Sequence, residues 1–411
     1  MSFLKNTLLS AAAVATAVAA MPSSSLAAGF QLSEQSVVGL GRSFAGGGIV
    51  GDDLSAIAYN PAGLSLAKGL QMQAGFIGVH IDSKLHGNYT DYKYGGAMSA
   101  SGSTELDDII PVPSFFATYQ INDKWTVGLG TFASYGFDIE YDKNWFGKMQ
   151  AIDSNLQAMN INPSVSYKIN EQWSVGAGFS AERMSARLTS FGTKMKADSW
   201  AYGYDIGIMY SPLKDTRFGL SYRSKMKHDL QGDLLEPLKF GIHADLTLPD
   251  FATFGAYHKL NNWLGLSGTV RWTNWSRFKE LDIQRTSNDS TISYTPEKWK
   301  DTWYFAIGGD FYINDKWTVR LGWAYDSSPI RGAEYRTARI PDTYRYIVST
   351  GVSYKWNEHL TFDAGYMHIF FDNCNIDNNG LAANRTTVDG NLKAIYKSSL
   401  DLLGLQVQYK F

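Results

Sequence analysis

The sequence predicts an all-β chain, a fourteen-stranded antiparallel transmembrane β-barrel plugged by an N-terminal hatch. Three observations lead there: a hairpin phrase that recurs six times, period-two alternation with aromatic residues at the strand ends, and a glycine-rich, non-alternating stretch ahead of the first strand. Composition agrees. Of 411 residues 14% are aromatic and only 18% charged, where a soluble domain carries about 25% charged residues. A net charge of -2 argues against nucleic acid as a partner, which requires a basic surface. The single Cys374, expected in a loop, excludes an intrachain disulfide and a thiolate metal cluster. No metal, nucleotide or other cofactor is required by any pattern in the chain. Beyond the N-terminus no apolar run approaches the roughly 20 residues of a membrane-spanning helix.

The chain opens on an address. Lys5 supplies a positive region, Leu8 to Met21 an Ala-rich apolar core, and Pro22 ends it before Ser25-Leu26-Ala27. Small residues at the two positions a signal peptidase reads place the cut after Ala27, so residues 1–27 are expected to be a signal peptide and the protein to leave the cytoplasm.

The repeat begins after residue 69. Tyr119-Gln-Ile-Asn122-Asp-Lys-Trp125-Thr-Val127 returns as Tyr167-Lys-Ile-Asn170-Glu-Gln-Trp173-Ser-Val175 and as Tyr312-Ile-Asn314-Asp-Lys-Trp317-Thr-Val319. Looser copies centre on Asn261 and Asn357, and a variant runs from Tyr210 to Gly219. Each is an aromatic or β-branched strand end, a tight polar turn and a new alternating strand. Turns near 122, 170, 213, 261, 314 and 357 leave room between neighbours for two strands of about 10 residues and one longer loop. Six short turns with both chain ends on their side enclose seven hairpins, hence fourteen strands.

The strands alternate. Trp125, Val127 and Leu129 share a face opposite Thr126, Gly128 and Gly130, and Leu405, Val407, Tyr409 and Phe411 lie opposite Gln406, Gln408 and Lys410. A soluble sandwich would alternate too, but it has no need of Tyr and Trp at nearly every strand end. A membrane barrel does, because amphipathic rings sit at headgroup level. In lipid every backbone group must be bonded internally, so the sheet closes and residues 69–411 form the barrel.

Residues 28–68 break the rhythm. Gly39-Leu-Gly-Arg42, Gly46-Gly-Gly48 and Asn60-Pro61-Ala62-Gly63 are too apolar for an exposed tail and too irregular for strands, which suits a plug against a polar inner wall. Gly46-Gly-Gly48-Ile-Val-Gly51 formally fits a dinucleotide fingerprint, but no strand leads into it and Gln71 stands where an acid is needed.

At this point the chain resembles a known family. Ala28-Gly-Phe30-Gln-Leu, Gly39-Leu-Gly-Arg42 and Asn60-Pro61-Ala62 are similar to the N-terminus of the FadL/OmpP1/TodX family of outer-membrane transporters. Further on, Tyr222-Arg-Ser, Trp272-Thr-Asn-Trp275-Ser, Trp299-Lys-Asp301, Asp326-Ser-Ser328-Pro329, Ile340-Pro-Asp342, Arg345 and Gly365-Tyr-Met-His368 continue the likeness in order. The resemblance implies a fourteen-stranded barrel with an N-terminal hatch, which the turn count reaches independently. It also implies uptake of long-chain fatty acids: capture in an apolar site, hatch rearrangement, and lateral exit into the bilayer at an inward kink in the third strand.

By the same resemblance, Phe30 contacts the deep pocket and the kinked strand, and Asn60, Pro61 and Ala62 hold the hatch to the wall. Phe132, Ser134, Tyr135 and Gly136 fall in the kink, with Gly136 leaving a hole. Alternation through this strand is not visibly interrupted. The positions of the family's head-group cations fall on neutral Ser190 and Thr295, so Arg187, Lys298 and Lys300 are taken as substitutes. A desolvated carboxylate needs a cation or several donors. Without one, uncharged aromatic hydrocarbons become the alternative cargo.

Rival classes fit less well. A general porin has no use for an obstructing hatch. A lipase needs Ser, His and an acid brought together; no G-x-S-x-G elbow occurs, and the near-match Gly63-Leu-Ser65 falls in the hatch. The expected location is the outer membrane of a Gram-negative bacterium, among lipid and lipopolysaccharide. Terminal Phe411 resembles the end that barrel assembly machinery reads, and a monomer is expected.

Overall fold

The structure, a computed structural model, describes residues 29–92, 94–378 and 390–411. The expected signal peptide and its cleavage site lie outside these residues. Strands run as β1 (Leu70–Asp91), β2 (Ala100–Gln120), β3 (Trp125–Glu140), β4 (Asp153–Lys168), β5 (Trp173–Ser190) and β6 (Thr193–Leu213). Four strands follow in two segments each: β7 (Thr216–Arg223, Met226–Glu236), β8 (Phe240–Leu248, Phe251–Lys259), β9 (Leu264–Thr273, Glu280–Arg285) and β10 (Thr291–Pro296, Thr302–Tyr312). Then come β11 (Trp317–Asp326), β12 (Arg345–Lys355), β13 (Leu360–Phe371, Cys374–Asp377) and β14 (Gly390–Lys410). Each pairs antiparallel with its sequence neighbours, and β14 pairs with β1 from Gln71↔Lys410 to Asp91↔Gly390, so the sheet closes at fourteen strands.

The recurring phrase has one physical cause. In five of the six short turns an Asn side chain accepts two backbone N–H groups just beyond it: Asn122 from Lys124 and Trp125, Asn170 from Gln172 and Trp173, and Asn314 from Lys316 and Trp317. Asn261 and Asn357 do the same. Such Asx turns close hairpins without glycine. The flanking rings meet across the strands, as in Trp125–Tyr167, Trp173–Tyr210 and Trp317–Tyr354 at 4.3–4.6 Å.

Strand length departs from expectation. About 10 residues suffice to cross the hydrocarbon, yet β1 has 22 and β2, β6 and β14 have 21. Along β1 the exposed residues change from Ala74 and Phe76 to Asp82, Lys84 and His86. The sheet therefore leaves the membrane and continues in water, where Lys84 meets Glu105 and His80 meets Asp107. Cys374 is a second correction: it is buried and begins the second segment of β13 instead of lying in a loop.

The N-terminal segment fills the barrel as a plug. It holds α1 (Val37–Leu40), α2 (Ala56–Tyr59) and a 3₁₀ turn (Pro61–Leu66). Phe30, Leu40, Ile49 and Ile57 are buried. Its backbone is satisfied by the wall: Arg217 donates to Val50 O, Arg223 to Ala58 O, Ser221 to Tyr59 O and Tyr304 to Ser43 O, while Thr269 accepts from Gly46 N–H. These are the bonds that a non-repetitive buried backbone must find.

Charges anchor the plug as well. Arg42 pairs with Asp52 at 2.6 Å and with buried Asp310 at 3.0 Å, and Arg320 of β11 pairs with both acids at 3.1 and 2.9 Å. Burial alone would raise Asp52, but Arg42 and Arg320 hold its carboxyl well below the usual range. Asp310→Asn leaves two buried guanidiniums sharing one acid and is expected to cost about 3 kcal/mol of plug docking. Hydrogen exchange at Ile49, whose N–H bonds Gly46 O, should accelerate about a hundredfold while the barrel amides stay protected.

Buried Glu34 behaves oppositely, its carboxyl raised by burial despite the N–H of Ser33 and the fields of Arg345 and Arg271. Its neutral form is the one the fold prefers, so its contribution holds below about pH 4.5 and is lost as pH rises through the raised value. Glu34→Gln should tighten the plug at pH 8, and the gap from native should close at pH 4, read by the same exchange experiment.

Candidate ligand cavity and wall opening

Pairing between β2 and β3 runs from Gln120↔Thr126 to Ser114↔Phe132 and stops. Beyond Phe132, β3 stays with β4 while β2 stays with β1, so the wall parts between them. The register of β3 against β4 slips between Ala133 and Tyr135, leaving Ser134 as the extra residue, and a bulge of this kind bends its strand. The freed edge of β3 is taken up by the plug: Gly136 N–H donates to Phe30 O at 2.8 Å, and Leu32 N–H donates to Ser134 O at 2.9 Å. The sequence itself carries a signal for the parting. Pro111 and Pro113 lie on the stretch of β2 that β3 has left, and a sheet tolerates proline at an edge.

Ser134 is moored in the wall. Its hydroxyl bonds Glu182 and donates to Ala158 O. Glu182 also accepts from Asn160 and meets His228 Nε2 at 3.1 Å, while His228 Nδ1 meets Ser199 at 2.9 Å. This brings Ser, His and acid into one line, but Glu182 and His228 are fully buried and the acid is engaged with the bulge.

Phe30 sits in a cage of Tyr135, Phe137, Trp275, Phe278 and Trp299, with ring centroids 5.0–6.0 Å away. The interruptions of β9 and β10 supply three of these rings, since Trp275 and Phe278 lie between the segments of β9 and Trp299 between those of β10. Each edge-to-face pair adds about 0.5–1.5 kcal/mol to burial.

Asn60, Pro61 and Ala62 lie at the other end of the plug. Asn60 Oδ1 caps the 3₁₀ turn through Ala62 N–H, its Nδ2 donates to Ile208 O, and Ala62 O accepts from Ser166 and Ser174. Wall glycines make the seat: a Cβ on Gly207 would stand 2.0 Å from Asn60 Oδ1, and one on Gly176 2.3 Å from the Pro61 carbonyl carbon.

A cavity of about 410 Å³ lies beside the cage, lined by Phe30, Phe137, Leu156, Met195, Leu230, Ile242 and Ile283 among others. Ser190 and Thr295 line it, and so does Arg339. Arg187, Lys298 and Lys300 do not: Arg187 is paired to Asp153, exposed Lys298 lies over Tyr335, and Lys300 donates to Tyr344 OH. Successive plug residues Gln31 and Leu32 line a second space of about 40 Å³ with Phe132, Ser134 and Tyr135.

A closed barrel with a filled lumen, an apolar internal cavity and a parted wall is an outer-membrane transport protein rather than an open pore. Family comparison makes this specific: residues 17–411 match the model described as outer membrane protein transport protein (OMPP1/FadL/TodX), and the chain belongs to that family. The long-chain fatty acid transport protein of Salmonella typhi is 30% identical over 89% of this chain and 93% of its own. The crystal structure of a Pseudomonas aeruginosa FadL homologue superposes with a TM-score of 0.84 at 25% identity, covering 93% of this chain and all of that one. The toluene transporter TodX of Pseudomonas putida shares the fold at a TM-score of 0.66 and 17% identity, over 87% and 94% of the two chains. The chain is thus a bacterial outer-membrane transport protein and not an enzyme.

The glycine seat is testable. Gly207→Ala should displace Asn60 and loosen the plug by about 1–3 kcal/mol, seen as faster exchange at Asn60, whose N–H bonds Ala56 O. Gly268→Ala, whose methyl meets only Ala306 O at 3.7 Å, should leave exchange at Asn60 unchanged.

Proposed function

We propose that this chain takes up long-chain fatty acids across the outer membrane, from the internal cavity past Phe30 and out through the parting of β2 and β3. The observation that carries this reading is the parting itself, where the plug caps the free edge of β3 through hydrogen bonds made by Phe30, Leu32 and Gln35. Leaving an alkyl chain in water costs about 0.8 kcal/mol per CH₂, roughly 12 kcal/mol for some fifteen. A route that passes from an apolar cavity sideways into the bilayer avoids that cost. The plug, residues 28–68, serves as the hatch: Asn60, Pro61 and Ala62 are its anchor, while Phe30 and its neighbours move. The fatty acid reading draws further support from the Salmonella typhi relative, and TodX makes aromatic hydrocarbons the natural comparison.

The test is uptake of labelled oleate and labelled toluene by deletion cells carrying native protein or Gly136→Trp. Native protein should restore oleate entry, and a ring at Gly136, where β3 meets Phe30, should cut it at least tenfold at equal abundance of heat-modifiable barrel. Toluene entry alone would keep the route and change the cargo. Entry of neither above the empty-vector rate would overturn uptake, and conductance measurements would then examine a porin.

A further inference from the structure

The cavity is apolar along most of its wall, yet the proposed cargo carries a carboxylate, and an ion stripped of water demands a compensating charge. Ser190 and Thr295 offer hydroxyls alone. Among the described residues three basic side chains line the space: Lys196, His243 and Arg339. Lys196 is exposed. His243 stands 3.7 Å from Asp289 and is a cation only when protonated. Arg339 is different in kind.

Arg339 belongs to the loop between β11 and β12. Its flanking residues Ala338 and Ile340 are buried, and Ala338 O accepts from Tyr141 OH at 2.7 Å. The guanidinium is oriented by neutral oxygens: Nη2 donates to Gln150 O at 2.8 Å, and Nη1 to Ser154 Oγ at 2.7 Å with longer contacts to Asp153 O and Thr189 O. Among the described residues no carboxylate lies within ion-pair distance of it, because nearby Asp153 is engaged by Arg187. Burial pushes Arg339 down to about 10, which still leaves it protonated at neutral pH. A fixed cation solvated by dipoles and open to an apolar cavity has charge to spare for an anion.

We infer that Arg339 is the carboxylate-binding residue of the cavity, and that a fatty acid lies with its head at Arg339 and its tail toward Phe30. The orientation follows from the one acid that lines the cavity among the described residues. Glu297 accepts the indole N–H of Trp299, which packs on Phe30, so a carboxylate turned the other way would face Glu297. This rests on the uptake reading above and names the residue that would select acids over neutral lipids.

The experiment is equilibrium binding of oleate and oleyl alcohol to the purified full-length barrel in detergent, at pH 7.5. Native protein should prefer oleate. Arg339→Gln should weaken oleate roughly 10- to 100-fold and leave oleyl alcohol unchanged, and Arg339→Lys should recover most of the loss. Three results would overturn the assignment: no preference for oleate in native protein, equal loss of both ligands in Arg339→Gln, or loss of the preference in Lys196→Gln instead. The native preference is measurable even where Arg339→Gln does not fold. Native protein that binds neither ligand would remove the uptake reading itself, whereas oleate binding indifferent to Arg339→Gln removes only this inference.

Discussion

Lipid offers no hydrogen-bond partner, and that single constraint shapes this molecule. A sheet crossing a bilayer must close, because each edge N–H or C=O left open costs several kcal/mol. The sheet closes β14 onto β1, but β3 leaves β2 after Phe132. There the plug covers the exposed edge with backbone from Phe30 and Leu32. The plug is therefore part of the wall as well as a filling of the lumen, and the place where it substitutes for a strand is the exit in the proposed uptake route.

The remaining plug contacts share a logic of close approach and full satisfaction. Glycines of β5 and β6 give up side chains so that Asn60 and Pro61 can lie against backbone, and the same holds at Gly322, where a Cβ would stand 2.2 Å from the Arg42 carbonyl carbon. The two arginines and two acids joining Arg42 to Asp310 give direction to contacts that packing alone would leave free to slide. One end of the segment is thus held by glycine seats and ion pairs. The other, around Phe30, is held by aromatic edges and two edge hydrogen bonds.

Much of the site was readable in advance only through resemblance. Phe30 and the stretch from Phe132 to Gly136 came from likeness to a family, since an uninterrupted alternation hides the bulge at Ser134. Pro111 and Pro113 carried local information about an edge, but the pairing of β2 had to be seen before a proline could be assigned to it. The basic residue that lines the cavity was out of reach for a different reason. Arg187, Lys298 and Lys300 lie near Ser190 and Thr295 in sequence, while Arg339 reaches the cavity from a loop whose path depends on Tyr141, Gln150 and Thr189. Proximity along a strand says little about which side chain faces a lumen, because neighbours point to opposite faces.

The chain by itself determined the barrel, its fourteen strands, the position of its short turns and the identity of the plug segment. Those features rest on local rules: an Asn that closes a turn on its own backbone, a period of two, and aromatic rings that seek an interface. Tertiary structure alone decided how far the strands run beyond the membrane, where five of them break, which arginine enters the cavity and where the wall parts. These depend on contacts between residues a hundred or more positions apart, such as Phe30 with Gly136 or Arg42 with Asp310, and no local pattern encodes a partner at that distance.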